Sequence, residues 1–143
     1  MITVLAVGSV KDKNISCLIA EYMKRMRRVE IKIVKEEKNQ NQEIVKNKES
    51  ERLLASVKDS FVVALSEEGR TMNSYAFAEF IKKQQNMTFL IGGAFGLSDD
   101  VNKKSNCVLS LSPLTFPHEI AQLLLVEQMY RAQSIIEGKK YQK

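Results

Sequence analysis

One histidine and two cysteines are all the soft metal ligands this 143-residue chain offers, and the cysteines stand far apart at Cys17 and Cys107. That excludes the Cys and His spacings of a zinc site, and no metal is expected. Each cysteine precedes an apolar pair, Leu18-Ile19 or Val108-Leu109, so two buried, reduced thiols are expected. No apolar run approaches the ~20 residues of a membrane-spanning helix. The G-x-G-x-x-G fingerprint and the G-x-x-x-x-G-K-S/T loop are both missing, which disfavours dinucleotide and nucleoside triphosphate sites. The first eight residues, Met1 to Gly8, lack a basic leader and a small-residue cleavage site. They read as a strand, and a cytoplasmic protein is expected.

What is present suits a folded protein. Hydrophobic residues make up 44% and charged residues 27%, which excludes wholesale disorder. A chain of this length buries roughly 68% of its unfolded surface without disulfide or metal, and one domain over 1–143 is expected. The net charge of +5 is uneven. Residues 1–58 carry 13 Lys and Arg against 8 Asp and Glu, whereas residues 59–143 carry 9 of each. A local basic excess of this size permits nucleic-acid binding without requiring it.

Apolar patterning gives strands at Ile2–Val7, Val29–Ile33, Phe61–Leu65, Thr88–Ile91 and Cys107–Leu111. Between them, Ile15, Leu18, Ile19, Tyr22, Met23 and Met26 form an amphipathic helical stripe. Residues 36–50 are polar and read as a loop or a poorly packed helix start, with helix from Ser50 to Lys58. Ser66 to Arg70 reads as a polar turn. A helix follows Asn73 or Ser74, a short one follows Ser98-Asp99-Asp100, and a long one runs from His118 to Glu137. Alternating strands and helices predict an α/β fold around a mostly parallel sheet. Ligands of such sheets bind where loops leave the carboxyl ends of strands, here after Leu65, Ile91 and Leu111.

Two of those loops are unusual. Gly92-Gly93-Ala94-Phe95-Gly96 holds half of the chain's glycines, which allow positive φ and close backbone approach. A bare tight turn and a ligand cradle are both compatible with it. Ser112-Pro113-Leu114-Thr115-Phe116-Pro117 holds both prolines, so its carbonyls and remaining N–H groups are held stiffly. It suits a ligand with donors and acceptors, such as an adenine edge, or serves as a rigid connector into the last helix. His118 begins that helix, either as a cap or as a proton acceptor at a ligand. Arg131 either faces a phosphate or pairs with Glu127 four residues earlier. Lys24, Arg25 and Arg28, and the tail Lys139, Lys140, Tyr141, Gln142 and Lys143, are candidate RNA contacts or solvated surface.

Six stretches together resemble the ribosomal large-subunit methyltransferase H family of the SPOUT superfamily. They are Ile2 to Gly8, Ile19 to Arg25, Ala64 to Gly69, Ile91 to Leu97, Leu109 to His118, and Glu127 to Ala132, in the family's order over almost the whole chain. The resemblance implies a SPOUT-type mostly parallel sheet with helices on both faces and a C-terminal trefoil knot. It also implies a homodimer that uses S-adenosylmethionine to methylate N3 of a pseudouridine in a stem-loop of 23S rRNA on the assembled ribosome. Carried over, the cofactor site comprises Leu65, Gly92, Gly93, Gly96, Ser112, Pro113, Leu114, Thr115, Phe116 and Pro117. Valine at position 93 is then expected to fill space the cofactor needs. His118 and Arg131 are the catalytic candidates. Two positions depart from the family pattern: Gln142 replaces a tail histidine, and Gln122 replaces an arginine. They favour an alternative, a dimeric RNA- or ribosome-binding module that keeps the fold without the chemistry.

Overall fold

The computed structural model describes residues 1–142. Lys143, an RNA-contact candidate above, lies outside them. The elements in chain order are β1 (Ile2–Val7), α1 (Lys13–Arg25), β2 (Val29–Val34), α2 (Gln42–Ser56), β3 (Phe61–Arg70), α3 (Ser74–Lys82), β4 (Met87–Ile91), α4 (Asp99–Lys104), β5 (Cys107–Leu109) and α5 (His118–Ile136). The strands form one sheet in the order β2-β1-β4-β3-β5, with every pair parallel.

Side chains alternate across a strand, so each inner strand feeds two cores. Val4 and Ala6 pack with Val63, Phe89 and Ile91 under α1, α3 and α5. Leu5 and Val7 pack with Val62, Ala64 and Leu90 under Leu53 of α2 and Val101 of α4. This burial on both faces is why the strands read as nearly continuous apolar runs. Polar caps set the helix starts. Asp12 accepts from the N–H groups of Asn14 and Ile15 at 2.9 and 3.1 Å, and Asn73 accepts from that of Ala76 at 2.8 Å.

Three sequence expectations are corrected. Of the two readings of residues 36–50, the helix start holds for 42–49, but it is well packed: Asn41 caps α2 and Val45, Glu49, Ser50 and Leu53 turn inward. Periodicity left the choice open because two of those four buried residues are polar. Ser66 to Arg70 is not a turn. It continues β3 past a register jump, so that Leu65 and Arg70 both lie opposite Leu109. Cys17 is exposed and Cys107 half-buried, not a pair of buried thiols. Leu18 is likewise 48% exposed, because α1 buries only the side of its stripe centred on Ile19.

Candidate functional site

The middle of β3, at residues 65–67, and the segments leaving the carboxyl ends of β4 and β5 meet around an open cleft of about 510 Å³. That volume lies within the range of small-molecule sites, about 300–1,000 Å³. Of the candidate cofactor residues, Leu65, Gly92, Gly93, Gly96, Ser112, Leu114, Thr115, Phe116 and Pro117 line it. Pro113 does not line it; it is exposed and only shapes the loop. His118 and Ala121 from the first turn of α5 complete the wall.

The glycine loop is a closed turn. The Gly96 N–H donates to the Gly93 carbonyl at 3.1 Å, and Gly96 adopts φ +77°. A Cβ on Gly92 would stand 2.5 Å from the Gly96 carbonyl carbon, so the two backbones touch. Gly93 corrects the expectation that valine there would fill cofactor space. Its Cβ direction points into the protein, to Glu49 Oε1 at 2.8 Å and Val7 Cγ1 at 3.2 Å. Beside it, the buried Ser98 N–H donates to Ser50 Oγ at 3.0 Å. The turn is therefore braced from behind by α2.

The proline loop is held by its own hydroxyl, since the Leu114 N–H donates to Ser112 Oγ at 3.1 Å. Pro117 occupies the N-cap position of α5, one residue before the first-turn site expected for proline. No side chain caps that helix start. Glu119 instead accepts from the N–H groups of Lys11 and Asp12, at 3.2 and 3.1 Å. These bonds dock the segment after β1 beside the cleft.

Sequence reasoning missed three residues here. Glu67 lines the cleft, yet it lay in what read as a solvated turn. Glu49 was hidden in the polar stretch read as a loop or a poorly packed helix start. Gly69 stands where β3 passes β5, and its Cβ would lie 2.7 Å from both the Val108 oxygen and the Leu109 carbonyl carbon. The juxtaposition in each case is made by distant segments, so no local pattern marks it. Among the described residues, the lining has one carboxylate, Glu67, and no Lys or Arg. Such a wall offers no cationic grip on a phosphate, but it accepts a ligand that is neutral or positive.

The basic candidates gather elsewhere. Lys24, Arg25, Arg28, Lys139 and Lys140 are exposed. Two hydrogen bonds between Gln133 and the Arg27 backbone, at 3.3 and 3.0 Å, join the end of α5 to the turn after α1. Basic residues of both ends therefore share one face, at the amino ends of the strands and opposite the cleft. Arg131 belongs to this end, about 20 Å along α5 from His118. Of its two sequence readings the ion pair is formed: Arg131 is bonded to Glu127 and donates to Gln142 Oε1 at 2.8 Å. The Glu127 hydrogen bond also raises the guanidinium pKa. Tyr141 is bonded to Glu127 and Tyr22 at 3.1 and 3.3 Å, and burial raises the pKa of its hydroxyl. Within one chain Arg131 is thus a tail clamp, remote from the cleft. Gln122 is buried in α5, so its side chain is no surface contact.

Among the described residues, no group of three His, Cys, Asp or Glu side chains could hold a metal ion. No helix among them is long and apolar enough to cross a membrane.

Comparison with known proteins places these features in context. A family profile described as "Predicted SPOUT methyltransferase" matches residues 1–142. The chain is 41% identical over 155 residues to ribosomal RNA large subunit methyltransferase H 1 of Thermoanaerobacter pseudethanolicus, covering 98% of each. It is 39% identical over 157 residues to ribosomal RNA large subunit methyltransferase H of Alkaliphilus oremlandii, covering 99% of each. Among solved structures, a probable methylase family protein from Haemophilus influenzae aligns with a TM-score of 0.61 at 18% identity, over 99% of this chain and 70% of that one. A methyltransferase from Legionella pneumophila, solved with bound cofactor SAM, aligns with a TM-score of 0.56 at 12% identity, over 92% and 66%. These structural likenesses speak to the fold.

Proposed function

Because the chain belongs to the SPOUT methyltransferases, and among them to the ribosomal RNA large subunit methyltransferase H family, we propose that its cleft binds S-adenosylmethionine for methylation of N3 of a pseudouridine in 23S rRNA. It is an S-adenosylmethionine-dependent rRNA methyltransferase; the particular nucleotide and the residue roles are our reading. The observation that carries the reading is the cleft itself. The middle of β3 and the loops after β4 and β5 converge on one volume of cofactor size, with no Lys or Arg in its lining among the described residues. S-adenosylmethionine has no phosphate, and its adenine suits the fixed carbonyls and N–H groups of the proline loop.

The bound cofactor supplies a methyl group already activated by its sulfonium. The chain's task is to hold the target nitrogen in line with that methyl and to exclude water. Leu65, Leu114 and Phe116 give the cleft apolar walls, and the glycine turn lets the ligand approach the backbone. His118, half-buried at the cleft, accepts the N3 proton in this reading. His118→Ala should then lower single-turnover methyl transfer about 100-fold with little change in cofactor affinity. Unchanged transfer would assign the proton to another acceptor.

The reading takes the chain as one SPOUT domain over 1–143, in the cytoplasm with the ribosome. A trefoil knot is supported by the passage of β3 past β5, with backbone contact at Gly69 and the Ser110 N–H bonded to the Arg70 carbonyl at 2.9 Å. A homodimer is supported by the separation of cleft and basic face, which a second copy can bring together. Arg25→Glu with Arg28→Glu should lower ribosome affinity about tenfold or more at low salt and leave cofactor affinity intact. Equal ribosome binding would remove this face from the RNA interface. Gln142 favours the non-catalytic alternative, because it is engaged by Arg131 and an amide is no base. Cofactor binding without transfer to ribosomes would establish that alternative. Calorimetry tests the shared premise: a Kd on the micromolar scale is expected, about −8 kcal/mol, and no heat at high protein concentration would refute it.

A further inference from the structure

The α2 carboxyl behind the glycine turn, Glu49, has no part in the cofactor contacts above. Glu49 is 4% exposed. Its Oε2 accepts from the Glu37 N–H at 3.0 Å, whereas its Oε1 is buried with no hydrogen-bond partner. The basic residues one turn away on α2 are engaged elsewhere, Lys46 with Glu43 and Arg52 with Glu37. No ion pair to Glu49 forms among the described residues. A buried carboxyl with a spare oxygen is costly, and such a group in a native fold calls for a reason. That oxygen is aimed at the back of Gly93, whose other side lines the cleft.

The cleft wall adds Glu67 to this negative side and offers no Lys or Arg against it. The one positive feature at hand is the uncapped N-terminus of α5. It suits the amino-acid carboxylate of the cofactor. The methyl donor and its demethylated product share that carboxylate, so the helix end does not tell them apart. They differ at sulfur. When the methyl carbon bonds to the target nitrogen, the carbon–sulfur bond breaks and its electron pair stays on sulfur. The target's N3 proton leaves to an acceptor, and the sulfonium cation becomes a neutral thioether.

Resting on the cofactor reading above, we infer that Glu49 is a positioning residue of the cleft's electrostatics: its buried carboxylate favours the cationic donor over the neutral product. Methyl transfer then removes the charge that Glu49 holds, and the product is released more readily. Glu49 acts through the Gly93 backbone and touches no reacting atom. Removing one charge beside a partly buried site changes the affinity for an oppositely charged ligand by roughly tenfold.

Titration calorimetry of the full chain with S-adenosylmethionine and, separately, with S-adenosylhomocysteine tests this. Glu49→Gln keeps the shape and removes the charge. It should weaken donor binding about tenfold and product binding far less, so that the ratio of the two affinities collapses. Glu49→Asp keeps the charge and should keep most of the ratio. A parallel loss of both ligands in Glu49→Gln, or an unchanged ratio, would overturn the inference and leave Glu49 a mere brace. If the wild-type chain binds neither ligand, the cofactor reading itself falls. Should Glu49→Gln fail to fold, the wild-type chain carries the test. A donor analogue with an ammonium in place of the methylsulfonium should bind more tightly than S-adenosylhomocysteine, and equal binding would overturn the inference.

Discussion

Alanine at Gly92 is expected to weaken S-adenosylmethionine binding about 100-fold, a loss of about 2.7 kcal/mol. The added methyl would sit 2.5 Å from the Gly96 carbonyl carbon and 2.8 Å from its oxygen. Both are backbone atoms, so no side chain can rotate away. The turn closed by the Gly96-to-Gly93 hydrogen bond must open, and Gly96 already holds a φ of +77° that other residues resist. Opening moves the cleft wall between β4 and α4. The sheet beneath need not change, because Ile91 and Leu90 stay packed in their two cores. Calorimetry on a variant with wild-type circular dichroism checks the expectation. Undiminished binding would show that the glycine turn does not shape the cofactor site.

Gly69 carries the second large effect, and it concerns the fold. A Cβ there meets the Val108 and Leu109 backbone at 2.7 to 2.8 Å. The late part of β3 must pass β5 at this point to reach the Arg70–Leu109 pairing. Gly69→Ala should therefore cost about 3 kcal/mol, lowering the melting temperature by about 6–12 °C, and should weaken cofactor binding as well. Binding suffers because Leu65, Ser66 and Glu67, in the cleft wall, lie on the same stretch of β3. A thermal melt like that of the wild type would mean the two backbones are not locked at this crossing.

Much of this was legible in the chain. The alternation of strands and helices was readable because Val4, Leu5, Phe89 and Leu90 are buried on both faces of the sheet and leave no polar interruption. The cleft was readable from its loops, since glycines and prolines advertise their backbone roles locally. Glu49 and Gly69 were not readable. Each matters through a contact with a segment more than 30 residues away, and each sits in a stretch whose polarity mimics a loop. Arg131 was half legible. The i, i+4 spacing to Glu127 foretold the ion pair, but only the tertiary path of α5 separates it from the cleft. The exposure of Leu18 went the other way, because helical periodicity cannot say how much of an apolar stripe the neighbours cover.

The two ends of the molecule together define what has to be tested. A cofactor-sized cleft with one carboxylate in its wall lies beyond the carboxyl ends of β4 and β5, and a basic face lies at the amino ends of the strands. In the proposed dimer these would serve one reaction, with RNA held by one surface and the methyl donor by the other. The most direct measurement is mass spectrometry of 23S rRNA from cells with and without this gene. An N3-methylated pseudouridine should be present with the gene, disappear on its deletion and return when it is restored. An unchanged methylated-pseudouridine signal in the deletion strain would contradict the proposed activity.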